Sequence, residues 1–390
     1  NTINLPGNAV DIGNQFFVAG MCHGLSLDKL RHYVSENAGA DKDAYGCGVN
    51  PSGTLPHLQA GATQLRVSRA WHSGCFIVDH TGYHNHYQGK QANGYFVLGQ
   101  HNQEWEYAKQ TGKAWEEIAT GQIDLFRSDM EALRVIPPQN YVGVVEAMDL
   151  IEQSVQKLKE LGVAYSVEND LYYDMTKTQL LGQICHLSET AMLEVFAQRG
   201  GDPQRPGKRN PFDALLWRGR SGDDPYWPST LGEGRPGWHI ECSAIATHYL
   251  GSQITVQGGG SDLKFPHHEM SAAHAESLTG QQPFAESFMH AGMVSLDGEK
   301  MSKSLGNLVF VSKLIAQNVD PMAIRLVLLS HHYRSDWEWC DTELTVAQTR
   351  LKTWRSALGM SLGAPSPLPE ILIALSEDLN TPQALKLIDD

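Results

Sequence analysis

Two short stretches carry residues whose types and spacing fit nucleotide chemistry. The first, GEKMSKSLGN at 298–307, puts Lys300, Ser302 and Lys303 on a glycine-flanked loop. Ammonium groups and small hydroxyls in this arrangement can fold over a triphosphate and neutralise the charge that builds as pyrophosphate leaves. The loop therefore predicts an enzyme that activates a carboxylate by adenylation, and an exposed basic loop is the alternative.

The second stretch, GGGSDLKFPHHEMSAAHAES at 258–277, combines three glycines, three histidines and three carboxylates. Three interpretations are open for it: a phosphate cradle, a metal site and an ordinary helix end. Glycines after a strand leave the backbone accessible to a ligand, which favours the cradle.

The segments around the second stretch indicate an α/β order. RPGWHIECSAIATHYLG predicts a turn and a helix that ends at Gly251, and ITVQ predicts a short strand that leads into Gly258. A further helix is expected from near His267. Helix, strand, glycine loop and helix in this order are typical of an α/β nucleotide-binding core.

The middle of the chain predicts an inserted α+β module. A 3.6-residue apolar period over 151–161 indicates a helix that Gly162 ends, and VAYSVENDLYYDM alternates like a hairpin. The stretch at 198–213 is dense in Gly, Pro and charge, so we expect a long surface loop that closes the module.

Beyond residue 310 the pattern is helical. Asp320 and Pro321 fit the cap and first-turn positions of one helix. Four apolar residues are expected to line one face of the next helix: Leu344, Leu351, Trp354 and Leu358. The final NTPQALKLIDD starts a helix that we expect to be truncated.

Composition excludes several classes of protein. No apolar run approaches membrane-spanning length and no signal peptide is recognisable, so we expect a cytoplasmic protein. Six cysteines in 390 residues are too sparse for a disulfide framework. A net charge of −14 argues against a nucleic-acid surface.

Four motifs, GWHIECS, GGGSDLKFPHHE, FMHAGMV and GEKMSKSLGN, resemble class I aminoacyl-tRNA synthetases of the cysteinyl type in order and spacing. The resemblance implies an α/β fold, a Rossmann-like class I catalytic core with an inserted α+β connective module and a C-terminal helical region. The implied domains are a split catalytic domain at 1–132 and 225–304, a connective module at 133–224, a stem-contact-like helical domain at 305–358, and the truncated start of a helical bundle at 359–390.

The resemblance also implies a site for ATP with Mg²⁺. Its catalytic residues would be Lys300, Lys303 and His57. Its ATP-binding residues would be His57, Gly258, Gly259, Gly260, Asp262, His290, Met293, Val294, Lys300, Met301, Ser302 and Lys303.

The same family holds one zinc ion that grips the substrate thiol. Carried over, its ligands would be Cys47, Cys242 and His267, and Trp238 and Gly48 would line the cysteine pocket. Zinc accepts Cys and His ligands, and it binds a thiolate far better than a hydroxyl, which would select cysteine over serine.

One position separates two enzymes of this type. Cysteinyl-tRNA synthetases hold a glutamate four residues after the zinc histidine, where this chain has Ser271. The serine and the stretch at 319–339 resemble the paralogous cysteine:glucosaminyl-inositol ligases of mycothiol biosynthesis. That resemblance implies ATP, L-cysteine and glucosaminyl-inositol as substrates, and a monomer without a tRNA or membrane partner. Cysteinyl-tRNA synthetase is the alternative.

The N-terminal third departs from the class I signature. CGVNPSGTLPHLQAGAT keeps Cys47, Gly48 and His57, but Gln59 and Ala60 stand where glycine and a second histidine belong. Cys75, followed by His84 and His86, is an alternative position for this cysteine and histidine motif. A non-catalytic protein that binds an adenylate or cysteine is therefore a third hypothesis.

Overall fold

The computed structural model describes residues 112, 114–135, 138, 140–222, 226–301, 307–358 and 367–390. The helices are α1 Trp115–Ala132, α2 Met148–Glu160, α3 Glu189–Gln198, α4 Trp238–Leu250, α5 Glu269–Thr279, α6 Val311–Ala316, α7 Pro321–Leu329, α8 Asp341–Ala357, α9 Leu368–Ser376 and α10 Thr381–Asp389. The strands are β1 Ala164–Val167, β2 Asp170–Tyr173, β3 Ala214–Gly219, β4 Gly234–Pro236, β5 Ile254–Gly260, β6 Ala285–Ala291, β7 Val294–Leu296, β8 Glu299–Lys300 and β9 Trp337–Glu338.

A four-stranded antiparallel sheet, in the order β1-β2-β3-β4, forms the middle of the chain. The predicted hairpin is confirmed as β1 and β2, which are joined at Glu168 and Asn169. The predicted helix is confirmed as α2, because its apolar residues Ile151, Val155 and Leu158 are fully buried. The domain limits stay a prediction, and β4 pairs with β3 across the expected limit at 224.

The loop after α3 is only partly at the surface. No regular helix or strand occurs between 199 and 213, as the glycines and prolines indicated. The expectation of a surface loop is wrong for Phe212 and Asp213, which are buried. The Asp213 carboxylate accepts hydrogen bonds from the backbone N–H groups of Met175 and Asn210, both at 2.8 Å. The Asp213 side chain can be buried here because backbone N–H groups satisfy its oxygens.

A parallel strand pair, β5 and β6, is joined by α5. The helix predicted before it is confirmed as α4, which ends at Gly251 with φ +100°. The three glycines differ from the expectation, because they form the carboxyl end of β5 rather than a loop after it. Gly237, just before α4, has no room for a side chain, since a Cβ would lie 1.8 Å from the Leu215 carbonyl oxygen.

A second core lies around α6, α7 and α8 and includes α1 residues such as Phe126. The predicted cap is confirmed, because the Asp320 carboxylate accepts the Met322 N–H at 2.9 Å. Leu344, Leu351 and Trp354 pack on this core. The prediction for Leu358 is wrong, since it lies beyond the helix end and is 87% exposed. None of the helices in the described ranges combines the length and apolar content that a membrane crossing requires.

A buried carboxylate ties α5 to the segment before α3. Glu269 has no exposed surface, and its two oxygens accept the backbone N–H groups of Gly182 at 2.7 Å, Ile184 at 2.9 Å and Cys185 at 2.8 Å. Each of these N–H groups would lack this acceptor without the carboxylate, and an unsatisfied buried donor is costly. The start of α5 is therefore held by the segment that precedes α3.

We expect Glu269→Gln to destabilise this junction. The amide has only one acceptor oxygen, and its NH2 group would face a backbone N–H that also needs an acceptor. The local free energy of opening should fall by about 1–3 kcal/mol. Native-state hydrogen exchange at Gly182, Ile184 and Cys185 measures it. Glu189→Gln on the exposed start of α3 is the control. Unchanged exchange in Glu269→Gln would contradict the assigned role.

Candidate active site

The carboxyl ends of two parallel strands bring the predicted nucleotide residues together. Gly258, Gly259 and Gly260 pair in register with Met289, His290 and Ala291 of β6. A 3-10 turn over Ser261–Leu263 follows, with Asp262 buried. Ligands of open α/β sheets bind at the carboxyl ends of such strands. This edge can therefore receive a nucleotide.

The chain after β6 leads from this edge toward the lysine motif. Val294 is buried in β7, and the backbone N–H of Met293 donates to the Asp336 carboxylate at 2.7 Å. A tight turn at Asp297 and Gly298 connects β7 to β8, where Lys300 pairs with Ser295. The hairpin thus carries the backbone of Lys300 back along β7. The next residue, Met301, is fully buried and anchors the hairpin's end.

An aromatic and histidine cluster lies between α4 and the start of α5. The Trp238 and His267 rings stack with centroids 4.1 Å apart and an interplanar angle of 17°. The Nδ1 atoms of His239 and His267 are 3.0 Å apart, so one donates a hydrogen bond to the other. Cys242 is 7% exposed and lies one helical turn after Trp238, on the same face of α4.

His267 leaves one ring nitrogen for another partner. Its Nε2 atom is buried, and within the described part of the chain it meets no hydrogen-bond partner. Burial lowers the pKa of His267 well below its ordinary value, so the ring is neutral. A neutral imidazole nitrogen and a cysteine sulfur are both atoms that zinc accepts as ligands. Among the described residues, however, no cluster of three or more His, Cys, Asp or Glu is close enough to hold a metal.

Ser271 faces α4 rather than solvent. Its hydroxyl donates to the His239 carbonyl oxygen at 3.3 Å, and its own carbonyl accepts the Ser243 hydroxyl at 2.8 Å. His267 and Ser271 therefore both contact His239, which places the two side chains on the side of α4. The serine closes the packing of α4 on α5.

A second histidine pair links α5 to the nucleotide edge. His268 Nδ1 lies 2.8 Å from His290 Nε2, and the rings have centroids 4.8 Å apart. Burial lowers the pKa of His268 to about 3, and the Asp262 carboxylate acts in the opposite direction. Burial also lowers the pKa of His290 well below its ordinary value. The pair is neutral at physiological pH and fixes His290 beside Gly259.

Several predicted site residues lie outside the described part of the chain: Cys47, Gly48, His57, Ser302 and Lys303. Their roles stay predictions, as do those of the residues described above. The sequence analysis missed His239 and the pairing partner of His290, His268. Both stand in the quoted motifs, but partners 22 and 28 positions away give no local signal.

Comparison with known families identifies the class of the fold. The family model described as "tRNA synthetases class I (C) catalytic domain" matches residues 103–349, more than half of the chain. The chain therefore belongs to this family, which confirms the predicted fold class. A solved structure, Mycobacterium tuberculosis methionyl-tRNA synthetase in complex with methionyl-adenylate, matches with a TM-score of 0.53 at 15% identity, over 86% of this chain and 79% of that chain. This second likeness concerns the fold alone.

Two curated relatives of this chain are named as ligases. The chain is 47% identical over 354 residues to the L-cysteine:1D-myo-inositol 2-amino-2-deoxy-alpha-D-glucopyranoside ligase of Thermomonospora curvata, across 88% of this chain and 81% of that protein. It is 55% identical over 293 residues to the protein of the same name from Salinispora tropica, across 73% of this chain and 72% of that protein. The predicted resemblance to this ligase group is confirmed.

The buried His268 should make stability depend on pH. Its folded-state pKa lies below the unfolded value of about 6.5, so the unfolded chain binds the proton first as pH falls. The stability that the neutral His268 contributes is therefore present above about pH 6.5, and this contribution is lost as pH falls toward the folded-state pKa. Between pH 7.5 and 5.5 we expect a loss of about 1.4 kcal/mol for each such histidine.

Urea unfolding at the two pH values measures this loss. His268→Gln should reduce the pH-dependent difference by one histidine's share, whereas His248→Gln, on the exposed side of α4, should leave it unchanged. An identical difference in wild type and His268→Gln would contradict the prediction.

Proposed function

We propose that this chain is an ATP-dependent ligase that adenylates L-cysteine and transfers the cysteinyl group to the amine of glucosaminyl-inositol. The observation that carries the proposal is the 47% identity, over most of both chains, to a ligase named for these substrates. The paired carboxyl ends of β5 and β6 support it, because they form an edge suited to a nucleotide. We further propose a cytoplasmic monomer without a tRNA partner.

For ATP, we assign the phosphates and ribose to the end of β5 and the adenine to the chain after β6. The phosphate and ribose residues are Gly258, Gly259, Gly260 and Asp262, with His57. The adenine residues are His290, Met293 and Val294. Lys300, Met301, Ser302 and Lys303 would close over the triphosphate, with Mg²⁺ accompanying it. The three glycines at the end of β5 pair with the end of β6, which holds His290, so one nucleotide can contact both strand ends.

For cysteine, we assign the pocket to Trp238 and Gly48, with zinc held by Cys47, Cys242 and His267. Bound zinc would hold the substrate thiolate and so select cysteine. The buried Nε2 of His267 fits a ligand, since it meets no other acceptor or donor among the described residues. If Nε2 held the metal, His267 Nδ1 would carry the hydrogen and would donate it to His239 Nδ1, which lies 3.0 Å away. Such a second partner fixes the orientation of a metal-bound imidazole.

The reaction takes two steps, each with a defined leaving group. A cysteine carboxylate oxygen bonds to the α-phosphorus of ATP as the bond to the β-phosphate oxygen breaks, which gives cysteinyl-adenylate and pyrophosphate. The acceptor amine then bonds to the acyl carbon, and AMP leaves as the amine loses a proton. We assign charge stabilisation in the first step to Lys300 and Lys303, with His57 at the phosphates.

Ser271 favours the ligase over a cysteinyl-tRNA synthetase. The synthetases carry a metal-binding glutamate at this position, whereas here the hydroxyl donates to the His239 carbonyl within the helix packing. The Ser271 hydroxyl is occupied by this hydrogen bond, and serine has no carboxylate that could bind a metal. Three protein ligands would then leave one position of a tetrahedral zinc for the substrate thiolate.

Zinc content separates the roles of Cys242 and Ser271. Cys242→Ala should abolish bound zinc after dialysis, because it removes a thiolate ligand. Ser271→Ala should keep the full complement, because its hydroxyl is engaged by α4. Atomic emission of the purified proteins measures both. A full complement of zinc in Cys242→Ala would overturn the ligand assignment.

AMP release tests the function as a whole. The purified chain receives ATP and cysteine with either glucosaminyl-inositol or cysteine tRNA, and a serine reaction serves as the control. We expect AMP only with cysteine and the sugar. Aminoacylated tRNA would identify a synthetase instead. No AMP with either acceptor, together with no pyrophosphate exchange into ATP, would identify a non-catalytic binding protein.

A further inference from the structure

One arginine of the middle module reaches the turn that follows the glycine strand. Arg199 directly follows α3, and its guanidinium Nη1 donates hydrogen bonds to the carbonyl oxygens of Asp262 and Phe265. Arg199 and Asp262 are 63 positions apart in the sequence. The contact therefore joins the module to the segment between β5 and α5.

This segment breaks regular structure where the arginine binds. The 3-10 turn over Ser261–Leu263 ends, and Phe265 then adopts extended angles, φ −140° and ψ 138°, before the chain enters α5. Carbonyl groups at such a break need partners from outside the segment. The guanidinium bridges the break, because one of its acceptors lies in the turn and the other at the extended residue.

Aromatic packing holds the same segment from the same module. The Phe265 ring is buried, and its centroid lies 6.4 Å from that of Phe196 and 6.1 Å from that of Phe212. Phe196 precedes Arg199 by about one helical turn. The Phe196 ring and the Arg199 guanidinium therefore contact the segment from the same end of α3. Side chains three apart on a helix face the same way.

The arginine remains charged in this setting. Burial lowers the pKa of Arg199, the Asp262 carboxylate opposes that shift, and guanidinium stays protonated throughout the physiological range. Both hydrogen bonds leave one nitrogen, Nη1, and the planar guanidinium fixes the directions of its two N–H groups, whereas a lysine ammonium rotates on a flexible stem. Lysine is thus not equivalent to arginine here.

We propose that Arg199 is a positioning residue for ATP, which sets the backbone of the turn at 261–265 from outside the nucleotide edge. The inference rests on the proposed function in one respect, since it takes the end of β5 and Asp262 as the ATP site. The middle module then shapes the nucleotide site instead of only linking its halves.

Direct ATP binding to Arg199→Lys and Arg199→Ala, measured by titration calorimetry, tests the proposal. We expect ATP affinity to fall about tenfold in both, the size of one lost charge-assisted hydrogen bond. Guanidinium ion at millimolar concentration should partly restore Arg199→Ala, and methylammonium should not. Arg209→Lys is the matched control, because its surface ion pair with Asp174, at 3.2 Å, lies in the same module.

Cysteine-dependent pyrophosphate exchange supplies the second readout. A positioning role raises KM for ATP and leaves KM for cysteine unchanged, whereas simple misfolding lowers kcat and leaves both KM values unchanged. ATP affinity within twofold of wild type in both Arg199 variants would overturn the proposal. ATP binding is independent of the acceptor, so a wild type that binds ATP but releases no AMP defeats the proposed function alone. A wild type that binds no ATP defeats both.

Discussion

The parallel pairing of β5 with β6 is the constraint on which the candidate site depends. Parallel strands end at the same edge of a sheet, so the register of Gly259 with His290 decides that the two predicted nucleotide segments meet. The hairpin of β7 and β8 then starts from this edge and carries Lys300. A shift of one residue in the register would turn every side chain of one strand to the other face.

Two polar side chains, the buried Glu269 and the half-buried Arg199, hold this edge to the rest of the chain. Glu269 collects three backbone N–H groups, and Arg199 gives its hydrogens to two backbone carbonyls. Both side chains bind main-chain groups of another segment, and these groups lack hydrogen-bond partners within a helix or strand. The four-stranded sheet accordingly shares one hydrophobic core with α4 and α5.

The cluster between α4 and α5 joins packing to chemistry. Trp238 stacks on His267 and His239 lies beside it, so the imidazole has little freedom to turn. Its remaining nitrogen, Nε2, is buried and meets no hydrogen-bond partner among the described residues, and an unsatisfied buried polar atom costs free energy. A metal ligand role would offset that cost, which is the physical link between this geometry and the zinc proposal.

Motifs were enough to predict the family, and local patterns predicted α2, the hairpin of β1 and β2, α4 and the cap of α7, because capping residues such as Asp320 and apolar periods act over a few neighbouring positions. The sequence could not predict the partners of His239, His268, Glu269 or Arg199, which stand 22 to 87 positions away. It also misplaced Asp213 at the surface and the glycines in a loop. These features depend on the tertiary structure, because burial and strand register arise from contacts between distant segments.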